Sequence, residues 1–333
     1  MSMPSAEDMR SWYKSWHEML VKGFENGAVS STMSFDHVVV CGMGGSGVVG
    51  DFLRVLLDGR VHIDVVKGSV LPKSIPRNSG MLAISYSGET LETILCTKQA
   101  IEQGIRVSAI TRRNSTLHRI VEENGGAVAF VTEGYLPRTA LAEMLGAALG
   151  LLGESKEEIL RASSILKERI QGIDGIASEL AGHLMGGLPV IAACGSYGVV
   201  AERWRSELSE NAKMPAIVEV YPEAAHNAIV GWESPLSCEF RYLILRGQHG
   251  RDNVCPLVYG LLEEIYGDRG EYRVLDLSEV TGVSFLAGLL YPALLAGLVS
   301  VEIAVRRGVN PARTVNIEKY KLNVISKLKH KII

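Results

Sequence analysis

Short apolar runs alternate with longer segments of helical periodicity along most of the chain. In the first half, the apolar runs predict strands at residues 37–42, 62–66, 81–84, 107–110 and 127–130. A polar opening segment that contains aromatic residues, 6–24, predicts a helix, and helical patterns lie between most of the strands. Short apolar strands separated by helices are typical of βαβ units, in which helices cover both faces of a parallel sheet. We therefore expect a Rossmann-like α/β domain.

The second half of the chain repeats this pattern. Strands are predicted at residues 189–193, 216–220, 241–245 and 272–276, again with helices between them. A helical stretch at 138–172, interrupted at 150–155, ends the first half, and a helical pattern at 173–185 leads into the second. In each half the first strand runs directly into a glycine-containing turn. The sequence thus predicts two similar α/β domains in succession, residues 1–153 and 154–333.

Residues 285–299 form an uncharged segment rich in Leu, Ala and Gly, with Pro292 in its middle. The segment is shorter than the roughly 18 to 20 apolar residues that a bilayer requires. The helical pattern continues through Glu302, Arg306 and Arg307. We therefore expect a helix buried in a core or in a subunit interface, and no membrane span.

The composition is that of a globular protein without a general attraction for nucleic acid. The chain has 333 residues, more than a typical single core holds, with 47% hydrophobic residues, 21% charged residues and a formal charge of −3. The first 15 residues are polar and contain no apolar core for a secretory signal. These features favour a cytoplasmic protein whose partner is a small molecule or another protein.

The cysteines are few and irregularly spaced. Their number is odd and no CxxC spacing occurs among Cys41, Cys96, Cys194, Cys238 and Cys255. The pattern indicates neither a disulfide framework nor a zinc site, and it agrees with a cytosolic location.

The turn Ser85–Tyr86–Ser87–Gly88–Glu89–Thr90 lies between an apolar run and a helical pattern. A glycine lets backbone N–H groups approach an anion, hydroxyls donate further hydrogen bonds, and a helix N-terminus adds partial positive charge. A second turn, Gly42–Met43–Gly44–Gly45–Ser46–Gly47, has the same position after the first strand. An ordinary helix N-cap is the alternative for the first of these turns. The pair of turns predicts a phosphate site that needs no metal.

The predicted phosphate site, which we call the cradle, combines side-chain hydroxyls with backbone amides. The hydroxyls of Ser46, Ser85, Ser87 and Thr90 are its side-chain donors, and Gly45 and Ser46 contribute backbone N–H groups. A dinucleotide site is the alternative, since glycine-rich turns also follow the first strand in NAD-binding proteins. The hydroxyl-rich second turn has no role in a dinucleotide site, and this favours a phosphorylated small molecule.

The GMGGSG and SYSGET turns, at 42–47 and 85–90, resemble those of the sugar isomerase (SIS) fold, which binds phosphorylated sugars. In the second half, SELSENAK at 206–213 is similar to the segment that carries the catalytic glutamate of phosphoglucose isomerases. AHN at 225–227, IEKYK at 317–321 and YLPRT at 135–139 extend the likeness. Taken together, these motifs resemble the archaeal bifunctional phosphoglucose/phosphomannose isomerases over almost the whole chain.

The resemblance implies two SIS subdomains and a specific set of catalytic groups. Glu210 corresponds to the base that moves a proton between C1 and C2, and Arg138 to the group that stabilises the enediolate. His226 corresponds to the residue that assists ring opening, reaching across a dimer interface, and Lys321 aids ring opening and stabilises negative oxygen. Thr314 matches a threonine linked to acceptance of mannose as well as glucose phosphates.

The local sequence leaves other interpretations of these residues open. Glu210 also fits a solvent-facing helix glutamate, His226 a loop histidine, and Lys321 a lysine on a solvated basic helix.

The resemblance implies a homodimeric, metal-independent and cofactor-independent isomerase with its active site near the interface. Its substrates would be glucose 6-phosphate, mannose 6-phosphate and fructose 6-phosphate. One alternative keeps the fold and lacks catalysis, as in a sugar-phosphate sensor or regulator. Another is an aminosugar-phosphate isomerase or synthase domain. The joint presence of Glu210, His226 and Lys321 favours the enzyme.

Overall fold

The computed structural model describes residues 3–30, 33–234, 237–247 and 253–327. These residues form two compact units. The N-terminal unit contains Ser15–Leu160 and the described residues from Arg313 onward, and the C-terminal unit contains Arg161–Ala312 together with the described residues up to Lys14. Each end of the chain therefore belongs to the unit formed mainly by the other half. The domain limits expected at residues 153 and 154 stay a prediction.

A five-stranded parallel sheet forms the centre of the N-terminal unit. Its strands are β1 (His37–Gly42), β2 (His62–Val66), β3 (Ser79–Ser85), β4 (Arg106–Thr111) and β5 (Val128–Phe130). They lie in the order β2-β1-β3-β4-β5. Every residue of β1 and β3 is buried, as expected for central strands covered on both faces. All five predicted strands are confirmed, with small differences at their ends.

The first seven helices of the chain are α1 (Ala6–Lys14), α2 (Trp16–Ala28), α3 (Gly45–Leu56), α4 (Leu91–Glu102), α5 (Thr116–Glu123), α6 (Leu141–Leu151) and α7 (Lys156–Arg169). Near the C-terminus, α13 (Val315–Tyr320) continues into a π-helical turn, Lys321–Ile325. The prediction of one opening helix was wrong: the helix breaks at Ser15, and α1 and α2 belong to different units. A periodic apolar pattern does not reveal this break, because both helices bury one face.

The C-terminal unit repeats the architecture with four parallel strands. They are β6 (Leu188–Cys194), β7 (Ile217–Tyr221), β8 (Phe240–Arg246) and β9 (Glu271–Asp276), in the order β7-β6-β8-β9. The helices of this unit are α8 (Ile173–Leu184), α9 (Gly198–Glu210), α10 (Cys255–Gly267), α11 (Ser278–Val283) and α12 (Phe285–Arg306). Short 3₁₀ helices cover Gly195–Tyr197, Glu223–His226 and Ala228–Trp232. The predicted strands and the repeat of the fold are confirmed.

Helix α12 is a core helix of the C-terminal unit. It is long and apolar enough to cross a bilayer, yet 89% of its most apolar window is buried inside the structure. A side chain at Gly297 would meet the ring of Tyr13 on α1 at 2.3 Å, so the two helices approach closely. The predicted buried helix is confirmed.

Cys194 and Cys255 form a disulfide, with 5.6 Å between their Cα atoms. The cysteine count and spacing indicated no disulfide framework, and they did not predict this pair. Cys194 ends β6, and Cys255 begins the helix that follows the neighbouring strand β8. Sheet topology brings the pair together, and neither an odd count nor the absence of CxxC spacing carries information about that proximity.

Candidate functional site

The two predicted turns of the cradle meet at one edge of the N-terminal sheet. Strand β1 has β2 on one side and β3 on the other, which makes the gap between β1 and β3 a topological switch point. Gly42, which begins the GMGGSG turn, pairs with Ile84, next to the SYSGET turn. In open α/β sheets, ligands bind outside the carboxyl ends of the strands at such a point. The strand order therefore supports the location of the cradle independently of its residue types.

The first turn leaves no room for a side chain at Gly45 or Gly47. Gly44 has a φ of +54° and precedes α3. A Cβ at Gly47 would lie 2.7 Å from the carbonyl oxygen of Gly42. A Cβ at Gly45 would lie 2.9 Å from the carbonyl oxygen of Pro137 and 3.1 Å from the backbone nitrogen of Arg138. The glycines thus let the segment that carries Arg138 approach the backbone of the turn.

Ser46 joins the two turns. Its side chain is buried, and its hydroxyl accepts a hydrogen bond from the backbone N–H of Tyr86 at 3.2 Å. The same hydroxyl faces the sulfur of Met144 at 3.6 Å. The backbone N–H of Ser46, expected to face the anion, donates to the carbonyl oxygen of Met43 at 3.1 Å. In this structure Ser46 holds the two turns together.

The second turn is held in shape by its own hydroxyls. Ser85 Oγ accepts from the backbone N–H of Gly88 and donates to Thr90 Oγ1, both at 3.0 Å. Ser87 and Thr90 are partly exposed, whereas Ser85 is buried. Gly88 has a φ of +67°, and a Cβ there would lie 2.1 Å from Ser115 Oγ. The turn has one tightly constrained glycine and two accessible hydroxyls.

Glu89 places a carboxylate inside the turn that the sequence predicts to bind phosphate, and the structure shows where its charge is directed. Its Oε1 accepts from the backbone N–H of Thr116 at 2.9 Å, and its Oε2 accepts from the hydroxyl of Thr116 at 2.8 Å. Thr116 is the first residue of α5. The negative charge of Glu89 therefore interacts with the N-terminus of a neighbouring helix, where it is stabilised.

Arg138 is buried and lies in a turn between β5 and α6. The sequence predicted it at the start of a helix, but α6 begins only at Leu141. Trp16 Nε1 donates to the carbonyl oxygen of Thr139 at 2.7 Å, which fixes the turn. Leu136 accepts the backbone N–H of Thr139 at 2.9 Å. Since Pro137 and Arg138 lie against Gly45, the N-terminal unit brings Arg138 and the cradle together.

Thr314 and Lys321 also belong to the N-terminal unit. Thr314 is partly exposed and precedes α13, and Lys321 is exposed at the start of the π-helical turn. Tyr320 OH donates to Glu92 Oε1 at 3.2 Å, and Glu92 lies in the first turn of α4. The carboxylate raises the pKa of Tyr320. Because α4 begins directly after Thr90, this contact brings the segment that carries Lys321 beside the end of the cradle.

Glu210 is the last residue of α9, and its side chain is partly exposed. The following residue, Asn211, is buried, and its Nδ2 donates to Glu207 Oε2 at 2.7 Å and to Ser300 Oγ at 2.9 Å. Tyr13 OH donates to the same Glu207 oxygen at 2.7 Å. A buried polar network thus fixes the end of the helix on which Glu210 lies.

A buried ion pair completes this network. Arg203 and Glu207, one helical turn apart on α9, are both almost completely buried and form a salt bridge. The sequence did not reveal these network residues, because Glu207 is one of several glutamates in a helical pattern. The i, i+4 spacing of arginine and glutamate on an otherwise apolar helix face is the signal that could have found the pair.

His226 is exposed at the end of a 3₁₀ helix that follows β7. The buried carboxylate of Glu219 anchors the surrounding segment. It accepts hydrogen bonds from Tyr221 OH at 2.7 Å, from Tyr266 OH at 2.6 Å and from Trp232 Nε1 at 2.9 Å. Tyr221 precedes His226 and Trp232 follows it, so a single carboxylate holds both sides of the histidine segment.

The C-terminal unit keeps Glu210 and His226 apart. Helix α9 starts at the carboxyl end of β6 and returns to the amino end of β7, so Glu210 lies near the amino edge of the sheet. His226 follows the carboxyl end of β7. The 13 residues of α9 extend over about 20 Å. One chain therefore holds these two residues at opposite edges of the same sheet.

Comparison with known proteins identifies the family. Residues 173–324 match the family described as "Bacterial phospho-glucose isomerase C-terminal SIS domain". The chain is 35% identical to the bifunctional phosphoglucose/phosphomannose isomerase of Aquifex aeolicus, over 85% of this chain and 89% of that protein. The chain belongs to the bifunctional phosphoglucose/phosphomannose isomerase family. Its identity to the Aeropyrum pernix member is 34%, over 93% of this chain and 95% of that protein.

The fold agrees with membership of the phosphoglucose/phosphomannose isomerase family. It is similar to the solved structure of a glucose-6-phosphate isomerase from Chlamydia trachomatis, with a TM-score of 0.70 and 12% identity. The aligned region covers 97% of this chain and 74% of that one. Two parallel sheets flanked by helices make this an α/β protein with the SIS architecture, as predicted.

The second sheet of this family member also has a switch point, between β6 and β8, but side chains fill the described part of it. A Cβ at Gly247 would lie 2.2 Å from the ring of Tyr197, which is buried. Tyr259 OH donates to the carbonyl oxygen of Gly247 at 2.9 Å, and the Cys194–Cys255 disulfide crosses the same edge. Among the described residues, the hydroxyl-rich turn occurs only in the N-terminal unit, as expected from the sequence.

Proposed function

We propose that this protein is a sugar-phosphate isomerase that interconverts glucose 6-phosphate or mannose 6-phosphate with fructose 6-phosphate. The observation that carries the proposal is the pair of glycine-rich and hydroxyl-rich turns at the switch point of the N-terminal sheet, with the buried Arg138 segment against the first turn. The names of the curated relatives support the two aldose substrates.

The cradle holds the 6-phosphate. Ser87 and Thr90 offer accessible hydroxyls, and the N-termini of α3 and α4 add partial positive charge. Because the carboxylate of Glu89 is hydrogen-bonded to the first residue of α5, its negative charge is kept away from the phosphate dianion. The cradle takes no part in bond making, and it acts by fixing the position of C1 and C2.

The reaction needs ring opening and then a proton transfer between neighbouring carbons. His226 and Lys321 move the proton between the ring oxygen and the C1 or C2 hydroxyl, which opens the sugar. Glu210 removes the proton from C2 of the open aldose, leaving a cis-enediolate whose charge Arg138 stabilises. Return of that proton to C1, together with transfer of the hydroxyl proton from O2 to O1, gives the ketose, and Glu210 ends as the carboxylate it was at the start.

The proposed active site takes His226 from a second copy of the chain. Because Glu210 and His226 lie at opposite edges of one sheet, a single C-terminal unit does not direct both at one sugar. The exposure of His226 is suited to reaching a neighbouring protomer. We therefore propose a homodimer in which each site combines Glu210 of one protomer with the histidine of its partner.

Turnover of both aldoses tests the proposal. Purified protein treated with EDTA is incubated with glucose 6-phosphate and, separately, with mannose 6-phosphate, and fructose 6-phosphate is measured. Fructose 6-phosphate should form from both. Binding of either sugar phosphate without turnover would favour the sugar-phosphate sensor. Turnover of an aminosugar phosphate alone would favour the aminosugar-phosphate isomerase.

Glu210→Gln should lower kcat by about 10³-fold, because a general base contributes roughly 10² to 10⁴. Binding of a phosphorylated competitive inhibitor should stay close to that of the unaltered protein, since the cradle is intact. Glu202→Gln is the matched control: Glu202 is exposed on the same helix and pairs with Arg205 at 2.8 Å on the surface. Equal activity of the two variants would show that the base is another residue.

Thr314→Gln tests the residue assigned to mannose acceptance. The two aldoses differ only at C2, so a bulkier amide restricts the rotation of the C1–C2 unit that presents either hydrogen to one base. We expect kcat/KM for mannose 6-phosphate to fall about tenfold more than that for glucose 6-phosphate. Equal losses on the two sugars would remove this role from Thr314.

A further inference from the structure

A cluster of two histidines and an aspartate lies near the amino ends of strands β1 and β2 in the N-terminal sheet. The cradle lies at the opposite, carboxyl ends of the strands. His37 begins β1, whereas His62 and Asp64 lie on the edge strand β2. One nitrogen from each histidine and one oxygen from the carboxylate all lie within 4.8 Å of one another. The described residues contain no other group of three His, Cys, Asp or Glu side chains with this proximity.

The sheet register explains why these side chains meet. His37 is paired with His62 on β2 and with Ser79 on β3, so three polar side chains form a row across neighbouring strands. Asp64 is two residues after His62 and shares its face of the strand. His37 Nε2 lies 2.9 Å from Asp64 Oδ2, and His62 Nε2 lies 3.5 Å from Asp64 Oδ1. Parallel pairing thus assembles the cluster from residues far apart in the sequence.

The hydrogen bonds of His37 direct its Nε2 at the carboxylate of Asp64. Ser79 has one hydroxyl proton, which it donates to the carbonyl oxygen of Pro76 at 2.6 Å. Its Oγ must then accept the Nδ1–H of His37 at 2.5 Å. The other nitrogen of His37, Nε2, is directed at the carboxylate of Asp64. A nitrogen lone pair and a carboxylate oxygen at 2.9 Å repel each other unless a proton or a metal ion lies between them.

We propose that His37, His62 and Asp64 form a binding site for a divalent transition metal of the zinc class. Two imidazoles and one carboxylate are a donor set that zinc accepts, with a fourth position for water. Tetrahedral bonds of about 2.1 Å bring donors to about 3.4 Å apart. The two histidine–carboxylate separations are 2.9 and 3.5 Å, and all three ligand atoms lie within 4.8 Å of one another. The Ser79 hydroxyl supplies the outer hydrogen bond that selects the metal-binding nitrogen of a histidine ligand.

The metal would join the edge strand β2 to β1 and take no part in isomerisation. The cradle lies at the carboxyl end of β1, and the six residues of that strand extend over roughly 17 to 20 Å. Bound zinc therefore stabilises the sheet edge against opening, while EDTA leaves turnover unchanged. Because the metal affects stability and not turnover, a protein that fails to bind zinc can be told apart from a protein that fails to isomerise sugar phosphates.

The test is calorimetric titration of zinc into the full chain after treatment with EDTA and its removal. All proteins carry Cys238→Ser, because Cys238 is an exposed free thiol that can bind zinc elsewhere. We expect one zinc ion per chain, a rise in the thermal midpoint on zinc addition, and visible absorption of bound Co²⁺. His62→Gln and Asp64→Asn should each weaken zinc binding by at least about tenfold. Both positions are partly or largely exposed, so both variants should fold.

His118→Gln is the matched control, since His118 also pairs with a carboxylate, Glu122, at 3.4 Å. This variant should bind zinc as the parent does. Binding that is unaffected by His62→Gln and Asp64→Asn would overturn the proposal. Absence of binding to the parent at a tenfold excess of zinc would do the same.

Discussion

At the scale of single residues, buried carboxylates anchor the segments that carry the exposed residues proposed to be catalytic. Glu219 accepts three hydrogen bonds from neutral donors on both sides of His226. Burial raises the pKa of Tyr221 and of Tyr266, so both phenols stay protonated and continue to donate to Glu219 at neutral pH. The histidine itself is exposed, and its position depends on this interior anchor.

Glu219→Gln should therefore affect catalysis through His226. An amide replaces part of the acceptor capacity with donors that face two phenols and an indole, and charge-assisted hydrogen bonds are lost. We expect a loss of about 1 to 3 kcal/mol in the free energy of unfolding. We also expect kcat to fall about tenfold while KM for fructose 6-phosphate changes little, since the cradle is untouched.

The control for this variant is Glu233→Gln, which alters an exposed glutamate close to the same segment. Its stability and its kcat should match those of the unaltered protein. Should Glu219→Gln lose stability and keep a normal kcat, Glu219 would be a structural residue only.

At the scale of secondary-structure elements, the turn after β3 owes its shape to Gly88. A side chain at this position meets two obstacles: a positive φ of 67° and the hydroxyl of Ser115, 2.1 Å from the Cβ. Gly104 has a φ of +74° with nothing within 4 Å of its Cβ. The two glycines thus share the backbone conformation and differ in the space around it, which makes them a matched pair for substitution.

Gly88→Ala should raise KM for both aldose phosphates by about tenfold, because the shifted turn moves the hydroxyls that hold the phosphate. Gly104→Ala should have the same backbone penalty of about 1 kcal/mol in unfolding free energy and no change in KM. Steady-state kinetics of the pair separate the two effects. Equal KM values would show that the turn does not contact the phosphate.

Much of the element structure could be predicted from the sequence, for a physical reason. Parallel strands in such folds are short, largely apolar runs bounded by turns, so the predicted bounds of the buried strand β1 and of the edge strand β2 agree with the observed ones. The break at Ser15, the Cys194–Cys255 pair and the His37 cluster depend on which segments become neighbours in space. The buried network around Glu207 has the same origin, since its partners Tyr13 and Ser300 come from both ends of the chain.

At the scale of the whole molecule, the two sheets share the order of their first four strands and differ at their switch points. The N-terminal sheet keeps a glycine-rich turn and a hydroxyl-rich turn at its switch point, whereas Tyr197 and a disulfide fill the described part of the corresponding edge in the C-terminal sheet. The C-terminal unit instead presents Glu210 at one edge and His226 at the other. A fold used twice thus provides one proposed phosphate-binding end and two separate ends that carry proposed catalytic residues.

The separation of Glu210 and His226 leads to a prediction about the assembled molecule. If each active site combines the two residues from different protomers, Glu210→Gln and His226→Ala homodimers are both inactive. Their mixed dimer has one site with both changes and one site with neither. Random exchange of subunits makes half of the dimers mixed, so activity should return to about a quarter of that of the unaltered protein.

Mixing the two inactive variants under conditions of subunit exchange, followed by the coupled fructose 6-phosphate assay, measures this recovery. A mixture of the Glu210→Gln and Arg138→Gln variants serves as the comparison. The activity that this mixture recovers depends on whether Glu210 and Arg138 act within one protomer. Recovery near a quarter for the histidine mixture supports the shared site. No recovery, with subunit exchange verified by mass, would require both residues to act within one protomer, against their location at opposite edges of the sheet.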